Sequence, residues 1–301
     1  MKTKVAVVGM GNLGRAVAKR LENDENFELV AKFSKRNLEG VERYDDIEKF
    51  KDKIDLVFVC GGSQNELEYQ TRRLIRNFNI IESYDNHNRL RCHIREMDYV
   101  ARSQGKIALC SLGWDPGIFS LMRGLIDSLG FEPYSFWGKG LSQGHTQAIK
   151  NINGVHDAIQ FTVPNREIIK QIKNGEDVKQ SKNFHKRLCY VVADKNEQKE
   201  IKQQILTMED YFKGYPTQVH FVSQEQLDQM KSFAHKGQVL TKKNIINFAL
   251  NLPSNPEFTA DVMTTFARAF EKLKQEEKTG AFSIFDLPMK YVLKDEQYKY
   301  L

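Results

Sequence analysis

The stretch Lys4-Val5-Ala6-Val7-Val8-Gly9-Met10-Gly11-Asn12-Leu13-Gly14 decides the fold. Its unbroken apolar run, Val5 to Val8, suits a strand buried on both faces of a parallel sheet, predicted over Lys4 to Gly9. Leu13, Ala16, Val17 and Leu21 then recur at helical spacing over Asn12 to Leu21, and Phe27 to Phe33 reads as a second strand. This is a complete βαβ unit. A lone G-x-G-x-x-G is a weak signal, but here it lies directly between a strand and a helix. In that setting Gly9 permits the tight turn, Gly11 lets backbone approach a pyrophosphate, and Gly14 allows close helix–strand packing. Met10, Asn12 and Leu13 complete the loop, and the helix N-terminus supplies N–H groups and positive dipole to a phosphate. The alternative is a plain βα turn that is rich in glycine.

Working outward, strands are predicted at Ile54 to Cys60, Ile80 to Tyr84 and Lys106 to Ser111, with helices at Glu66 to Asn77 and Leu90 to Gln104. Five strands with intervening helices give a doubly wound parallel sheet. After residue 117 the pattern changes. A helix at Ile118 to Leu129 is followed by short strands at Tyr134 to Gly138, Ala158 to Val163, Leu188 to Asp194 and Gln218 to Val222. Helices are expected at Arg166 to Lys173 and Glu197 to Met208, on one face of an open α+β lobe with antiparallel or mixed pairing. An amphipathic helix, Phe258 to Gln275, returns to the first domain. The expected fold class is α/β: a Rossmann-type doubly wound sheet (residues 1–117) with an inserted α+β lobe (118–252) and a returning C-terminal segment (253–301).

Composition narrows the function classes. With 41% hydrophobic and 28% charged residues, the chain of 301 residues has material for a real core and is not a disordered protein. The net charge of +6 is spread over interspersed signs, which reads as solvated surface rather than a nucleic-acid footprint. No apolar run reaches membrane-span length and no signal-peptide core follows Met1, so no membrane partner and a cytoplasmic location are expected. Cys60, Cys92, Cys110 and Cys189 form no Cys-x-x-Cys pair, so no metal site is expected.

The end of the second strand selects the dinucleotide. Where an NAD-preferring site usually carries an Asp or Glu, this chain reads Phe33-Ser34-Lys35-Arg36. A hydroxyl, an ammonium and a guanidinium offer donors and charge to a 2′-phosphate, so NADP(H) is the expected cofactor. A solvated basic loop is the bland alternative. Cys60-Gly61-Gly62-Ser63 supplies small residues at the carboxyl end of the sheet, where the cofactor's nicotinamide half would pass.

Two carboxylates close consecutive buried strands: Asp85 in Ser83-Tyr84-Asp85-Asn86-His87 and Asp115 in Leu112-Gly113-Trp114-Asp115-Pro116-Gly117. For Asp115 the structural alternative is an N-cap before Pro116, and for Asp85 an Asx-type turn.

These motifs occur in an ordered series with Phe136-Trp137-Gly138, Gly140-Leu141-Ser142-Gln143-Gly144-His145, His185-Lys186-Arg187 and Asn255-Pro256-Glu257-Phe258-Thr259. The series resembles the meso-diaminopimelate dehydrogenase family across essentially the whole chain. The resemblance implies NADP-dependent oxidative deamination of the D-centre of meso-2,6-diaminopimelate, reversible and part of lysine biosynthesis, by a homodimer. By the resemblance, Asp85 and Asp115 would hold the D-centre amine and handle its protons. Trp114 and Trp137 would wall the substrate site, and Gln143 and Gly144 would hold the reacting end. Ser83, Tyr84, Leu112, Gly113 and Pro116 would border the cofactor. Thr162, Arg187, His235 and Asn255 would hold the far L-centre.

Three of these have a plainer reading: Arg187 as half of a solvated Lys186-Arg187 run, Asn255 as the cap of a helix starting at Pro256, and His235 as a surface loop histidine. Two functional alternatives also stay open, a related NADP-dependent enzyme with another diamino-acid substrate and a non-catalytic NADPH-binding sensor.

Overall fold

The computed structural model describes residues 2–62, 66–232, 234–294 and 296–301. The chain forms two compact units, Met1–Leu121 with Pro256–Leu301, and Met122–Asn255. In chain order the elements are β1 (Thr3–Val8), α1 (Asn12–Glu22), β2 (Phe27–Ser34), β3 (Glu42–Arg43), β4 (Leu56–Val59), α2 (Leu67–Leu74), β5 (Asn79–Glu82), α3 (Leu90–Ser103), β6 (Ile107–Leu109) and α4 (Ile118–Ser128). There follow β7 (Tyr134–Trp137), β8 (Gly140–Leu141), α5 (Gln143–Lys150), β9 (Val155–Pro164), α6 (Arg166–Lys173), β10 (His185–Ala193), α7 (Gln198–Thr207), β11 (Thr217–Phe221), α8 (Gln224–Gln229), β12 (His235–Leu240) and β13 (Asn247–Leu252). The chain then runs through α9 (Asn255–Ala267), α10 (Ala269–Gln275), β14 (Gly280–Phe282) and α11 (Met289–Val292).

The first unit is built on a parallel sheet of order β14-β6-β5-β4-β1-β2-β3. Alternation along the strands sends Val5, Val7, Phe58 and Leu109 toward α1, α9 and α10, while Ala6, Val8, Val57 and Val59 face α2 and α3. Burial on both faces is why β1 reads as an unbroken apolar run. The chain goes from β1 outward through β2 and β3, then crosses to β4 on the other side, so the topological switch point lies between β1 and β4. The sheet has seven strands rather than five, because β3 and β14 are two and three residues long and carry no readable period. The helix expected over Phe258 to Gln275 starts earlier and is interrupted at Arg268, between α9 and α10.

The second unit holds a mixed sheet of order β11-β10-β9-β8, in which β10 runs parallel to β11 and antiparallel to β9. A separate antiparallel sheet has the order β13-β12-β7. Ile149 of α5 with Ile201 and Ile205 of α7 pack on Cys189 and Val191. Leu227 of α8 packs on Ile159 and Phe161, which alternate to the opposite face, so the helices of this lobe do not share one face as expected. No helix among the described residues is long and apolar enough to cross a membrane.

Candidate functional site

In the first unit, two turns meet at the switch point. Gly9 has a φ of +93°, and a Cβ there would lie 3.0 Å from the Cys60 carbonyl carbon and oxygen, so the turn after β1 rests on the backbone after β4. A side chain on Gly14 would overlap the Gly9 carbonyl oxygen, which seats α1 tightly against that turn. Around Gly11 the space is open within 4 Å. Gly11 is extended (φ −81°, ψ −160°), and no side chain caps α1. The first-turn N–H groups, which have no partner inside a helix, thus stand where an anion can take them. Met10 is buried and Asn12 and Leu13 open the helix.

Ser34 closes β2 in a buried position, and its hydroxyl accepts the Arg36 backbone N–H at 3.0 Å. That turn brings Arg36 Nη2 to the Met10 carbonyl at 3.3 Å, beside the glycine turn. Lys35 pairs with Glu66 at 3.2 Å. The arrangement fits a dinucleotide with a phosphorylated ribose: an uncapped helix start, open space at Gly11 and a guanidinium at the end of β2. Cys60 is buried, and desolvation drives its thiol far above the ordinary range, which marks it as packing rather than nucleophile. Gly61 and Gly62 follow it, while Ser63 lies outside the described residues.

The loops after β5 and β6 run side by side. Leu112 donates its N–H to the Glu82 carbonyl at 2.9 Å, continuing the pairing past both strands, and a Cβ on Gly113 would lie 3.6 Å from that of Ser83. The second loop closes on itself through Gly113 N–H to Pro116 O (3.0 Å) and Ile118 N–H to Gly113 O (3.2 Å). Asp115, 9% exposed, sits inside this loop, and α4 begins only at Ile118. The capping alternative for Asp115 and Pro116 therefore fails. Trp114 packs edge-on against Phe119 at 5.2 Å, Tyr84 is buried, and Asp85 is exposed beside it.

In the second unit, β9 and β10 set Thr162 opposite Arg187, and Arg187 Nη1 donates to Thr162 Oγ1 at 2.6 Å. The guanidinium lies over the Tyr215 ring at 4.3 Å, yet its Nε, also buried, has no hydrogen-bond partner. Arg187 is 8% exposed while Lys186 beside it is exposed, so the pair is not a solvated charge run. Burial lowers the Arg187 pKa. It also pushes His145 and His185 down to about 3, with the Arg187 charge adding to the effect. Both imidazoles are therefore neutral at pH 7, and His185 Nε2 accepts the Trp137 backbone N–H at 2.9 Å.

His235 corrects the expectation of a surface loop. It is the first residue of β12, 6% exposed, and its ring fills the space where Gly140 lacks a side chain. Gly140 itself pairs with Thr162, so β8 carries the histidine's neighbour to the Arg187 strand pair. Trp137 ends β7 opposite Gly237, with its ring 4.9 Å from His185. Gln143 and Gly144 open α5, a helix for which no element was predicted, and Ser142 caps it. Asn255 is the first residue of α9 rather than its cap. Tyr215, His145 and His185 were missed as neighbours of Arg187, because nothing in the local sequence ties a turn tyrosine to a strand arginine.

Residues 113–254 match the family model of the diaminopimelic acid dehydrogenase C-terminal domain. The chain is 39% identical to the meso-diaminopimelate D-dehydrogenase of Ureibacillus thermosphaericus, over 95% of this chain and 94% of that protein. Among solved structures, the C. glutamicum DAP dehydrogenase in complex with DAP superposes with a TM-score of 0.93 at 34% identity, covering 99% of this chain and 98% of that one. An engineered D-amino acid dehydrogenase bound to NADP+ gives 0.90 at 32% identity, with the same coverage. Similarity at this level, spanning both units, means that the chain belongs to the meso-diaminopimelate D-dehydrogenase family.

Proposed function

We propose that the chain catalyses the reversible oxidative deamination of the D-centre of meso-2,6-diaminopimelate, consuming NADP+ and water and yielding L-2-amino-6-oxopimelate, ammonia and NADPH within lysine biosynthesis. The observation that carries this reading is Arg187: a buried guanidinium with an unpartnered Nε, in a chain that also carries a dinucleotide turn. A desolvated cation with a spare donor calls for a carboxylate, and a two-bond fork supplies the pairing.

Bound NADP+ supplies the acceptor for the α-hydride. The residues around the substrate handle protons, orientation and water. Asp85 and Asp115 hold the D-centre ammonium, and one of them, or a water they position, takes the proton that must leave before the amine can push electrons. Trp114 and Trp137 hold the aliphatic chain, while Gln143 and Gly144 orient the reacting end. Arg187, Thr162, His235 and Asn255 take the far L-centre, and neutral His145 and His185 add no competing charge. Carboxylate anchors at one end and amine partners at the other admit a single substrate register, which selects the D-centre. We assign residues 118–252 to substrate binding and dimerisation, supported by the exposed Leu125 and Leu129 on and beside α4. A cytoplasmic homodimer is our reading of the whole; light scattering during gel filtration tests the stoichiometry.

The decisive experiment follows NADPH formation with meso-, LL- and DD-diaminopimelate and D-lysine, using NADP+ or NAD+. Turnover of the meso isomer with NADP+ is expected. Cofactor binding without turnover of any substrate would replace the enzyme reading with that of a sensor. Within this reading Asp115→Ala is expected to lower kcat on the order of a thousandfold with the fold intact, the scale of a lost general base. Wild-type turnover of that variant removes Asp115 from the mechanism.

A further inference from the structure

Glu82, the last residue of β5, is a fully buried carboxylate. Its Oε2 accepts the backbone N–H of Tyr84, and its Oε1 accepts that of Ser111 at 3.1 Å. His93 on α3, 2% exposed, places Nε2 at 3.0 Å from the same Oε1 and stacks on the Tyr84 ring at 4.1 Å. One side chain thus joins three elements: the loop after β5, the loop after β6, and α3. The first loop reaches Asp85 immediately after Tyr84, and the second reaches Asp115 in the closed turn that follows Ser111. Ser111 itself sits in the left-handed region, with φ of 58°, a conformation held on one side by the Glu82 carboxylate and on the other by the Leu112 bond to the Glu82 carbonyl.

A buried carboxylate is costly unless its lone pairs are met, and packing alone would be served as well by an apolar side chain. Here backbone amides from two separate loops meet those lone pairs. Cys110 Sγ also lies within 4.8 Å of the ligand atoms of Glu82 and His93, a donor set a metal could use. Both carboxylate oxygens already accept N–H donors, however, which favours a hydrogen-bonded clamp over a coordination site.

We propose that Glu82, backed by His93, is a positioning residue that fixes the spacing of the loops bearing Asp85 and Asp115. This rests on the reaction proposed above. In Glu82→Gln the amide nitrogen must face at least one N–H donor, so the loops shift while the sheet is retained. Two readouts on the full chain test it: backbone hydrogen exchange in peptides covering residues 83–86 and 111–117, and steady-state kinetics with meso-diaminopimelate. Exchange in both peptides should accelerate, and kcat should fall on the order of tenfold to a hundredfold, the scale of a small misplacement of reacting groups. Affinity for 2′,5′-ADP, which reports the phosphate turn and not the loops after β5 and β6, should stay within about twofold, since that turn lies on other strands. Met97→Ala, a cavity in the same core, controls for lost stability: a kcat loss in Glu82→Gln no larger than in this variant overturns the proposal, as does unchanged exchange in the two loops. If Glu82→Gln does not fold, His93 decides. His93→Gln keeps a donor to Glu82 and loses the ring stack, whereas His93→Phe does the reverse. The clamp requires His93→Gln to stay closer to wild type in kcat and loop exchange; the opposite order overturns it. Stoichiometric zinc in the purified protein would overturn it too. Failure of the wild type to oxidise meso-diaminopimelate refutes the reaction instead, because the exchange readout stands without turnover.

Discussion

The glycine turn of the first unit and the Arg187 site of the second are both built for anions, by opposite means. The turn uses backbone: six consecutive residues whose shape depends on where side chains are missing, with Gly14 seated on the Gly9 carbonyl and open space at Gly11. The Arg187 site uses a desolvated side chain assembled from β9, β10, β12 and the turn at Tyr215. The first is contiguous in sequence, although Gly9 also rests on the Cys60 backbone after β4. The second exists only when strand register places Thr162 opposite Arg187.

Substitutions can break each side of this contrast separately. Gly14→Val should have the largest effect, a loss of up to about a hundredfold in NADPH affinity by fluorescence titration, because overpacking against immovable backbone costs about 1–3 kcal/mol. Retained affinity would mean the turn does not define the cofactor site. Arg187→Met is expected to raise KM for meso-diaminopimelate by about thirtyfold with kcat and cofactor KM little changed, the scale of a lost charge-assisted pair of about 1.5–3 kcal/mol. A variant that lost kcat instead would move Arg187 to the reacting end. Arg36→Gln should weaken NADP+ by about tenfold and leave NAD+ untouched, since one exposed phosphate contact is worth about 1.4 kcal/mol. Equal losses for both cofactors would take Arg36 off the 2′-phosphate.

The smallest effect concerns protons. Folding holds His185 at about 3 against an ordinary value of 6.5, so the unfolded chain binds the proton more readily than the folded one. The stability tied to a neutral His185 is complete above pH 6.5 and drains away as pH falls toward 3. In His185→Gln the amide oxygen can still accept the Trp137 N–H, but it does not titrate. Thermal melts of this variant should lose less Tm than the wild type between neutral pH and pH 4, and parallel curves would show that His185 does not set the acid limit.

Much of the first unit was legible because its signals are contiguous: an apolar run, a glycine turn, and Ser34-Lys35-Arg36 closing the next strand. The same reasoning failed where burial is conferred from a distance. Nothing in Ala234-His235-Lys236-Gly237 announces that β12 lies between β7 and β13, or that Gly140 vacates the space the ring fills. Asp-Pro looked like a helix start because that pairing is common there, yet the 113–117 turn closes before α4 begins. Arg187 carries the signature of a surface charge, and only cross-strand pairing with Thr162 and the Tyr215 ring beneath it show otherwise.

The returning strand β14 has a consequence for how the molecule is made. It pairs with β6, and Asp98 of α3 accepts the Ala281 N–H, yet the whole second unit intervenes in the chain. During synthesis β6 is therefore a bare edge, with unpaired N–H and C=O groups, until the ribosome has translated everything through Phe282. Pairing at such sequence separation is slow to form, and an exposed strand edge is where nascent chains associate with one another. Truncation shortly before Gly280 would leave every residue assigned above to cofactor or substrate in the chain, yet would keep the β6 edge open and make the shortened chain more dependent on chaperones.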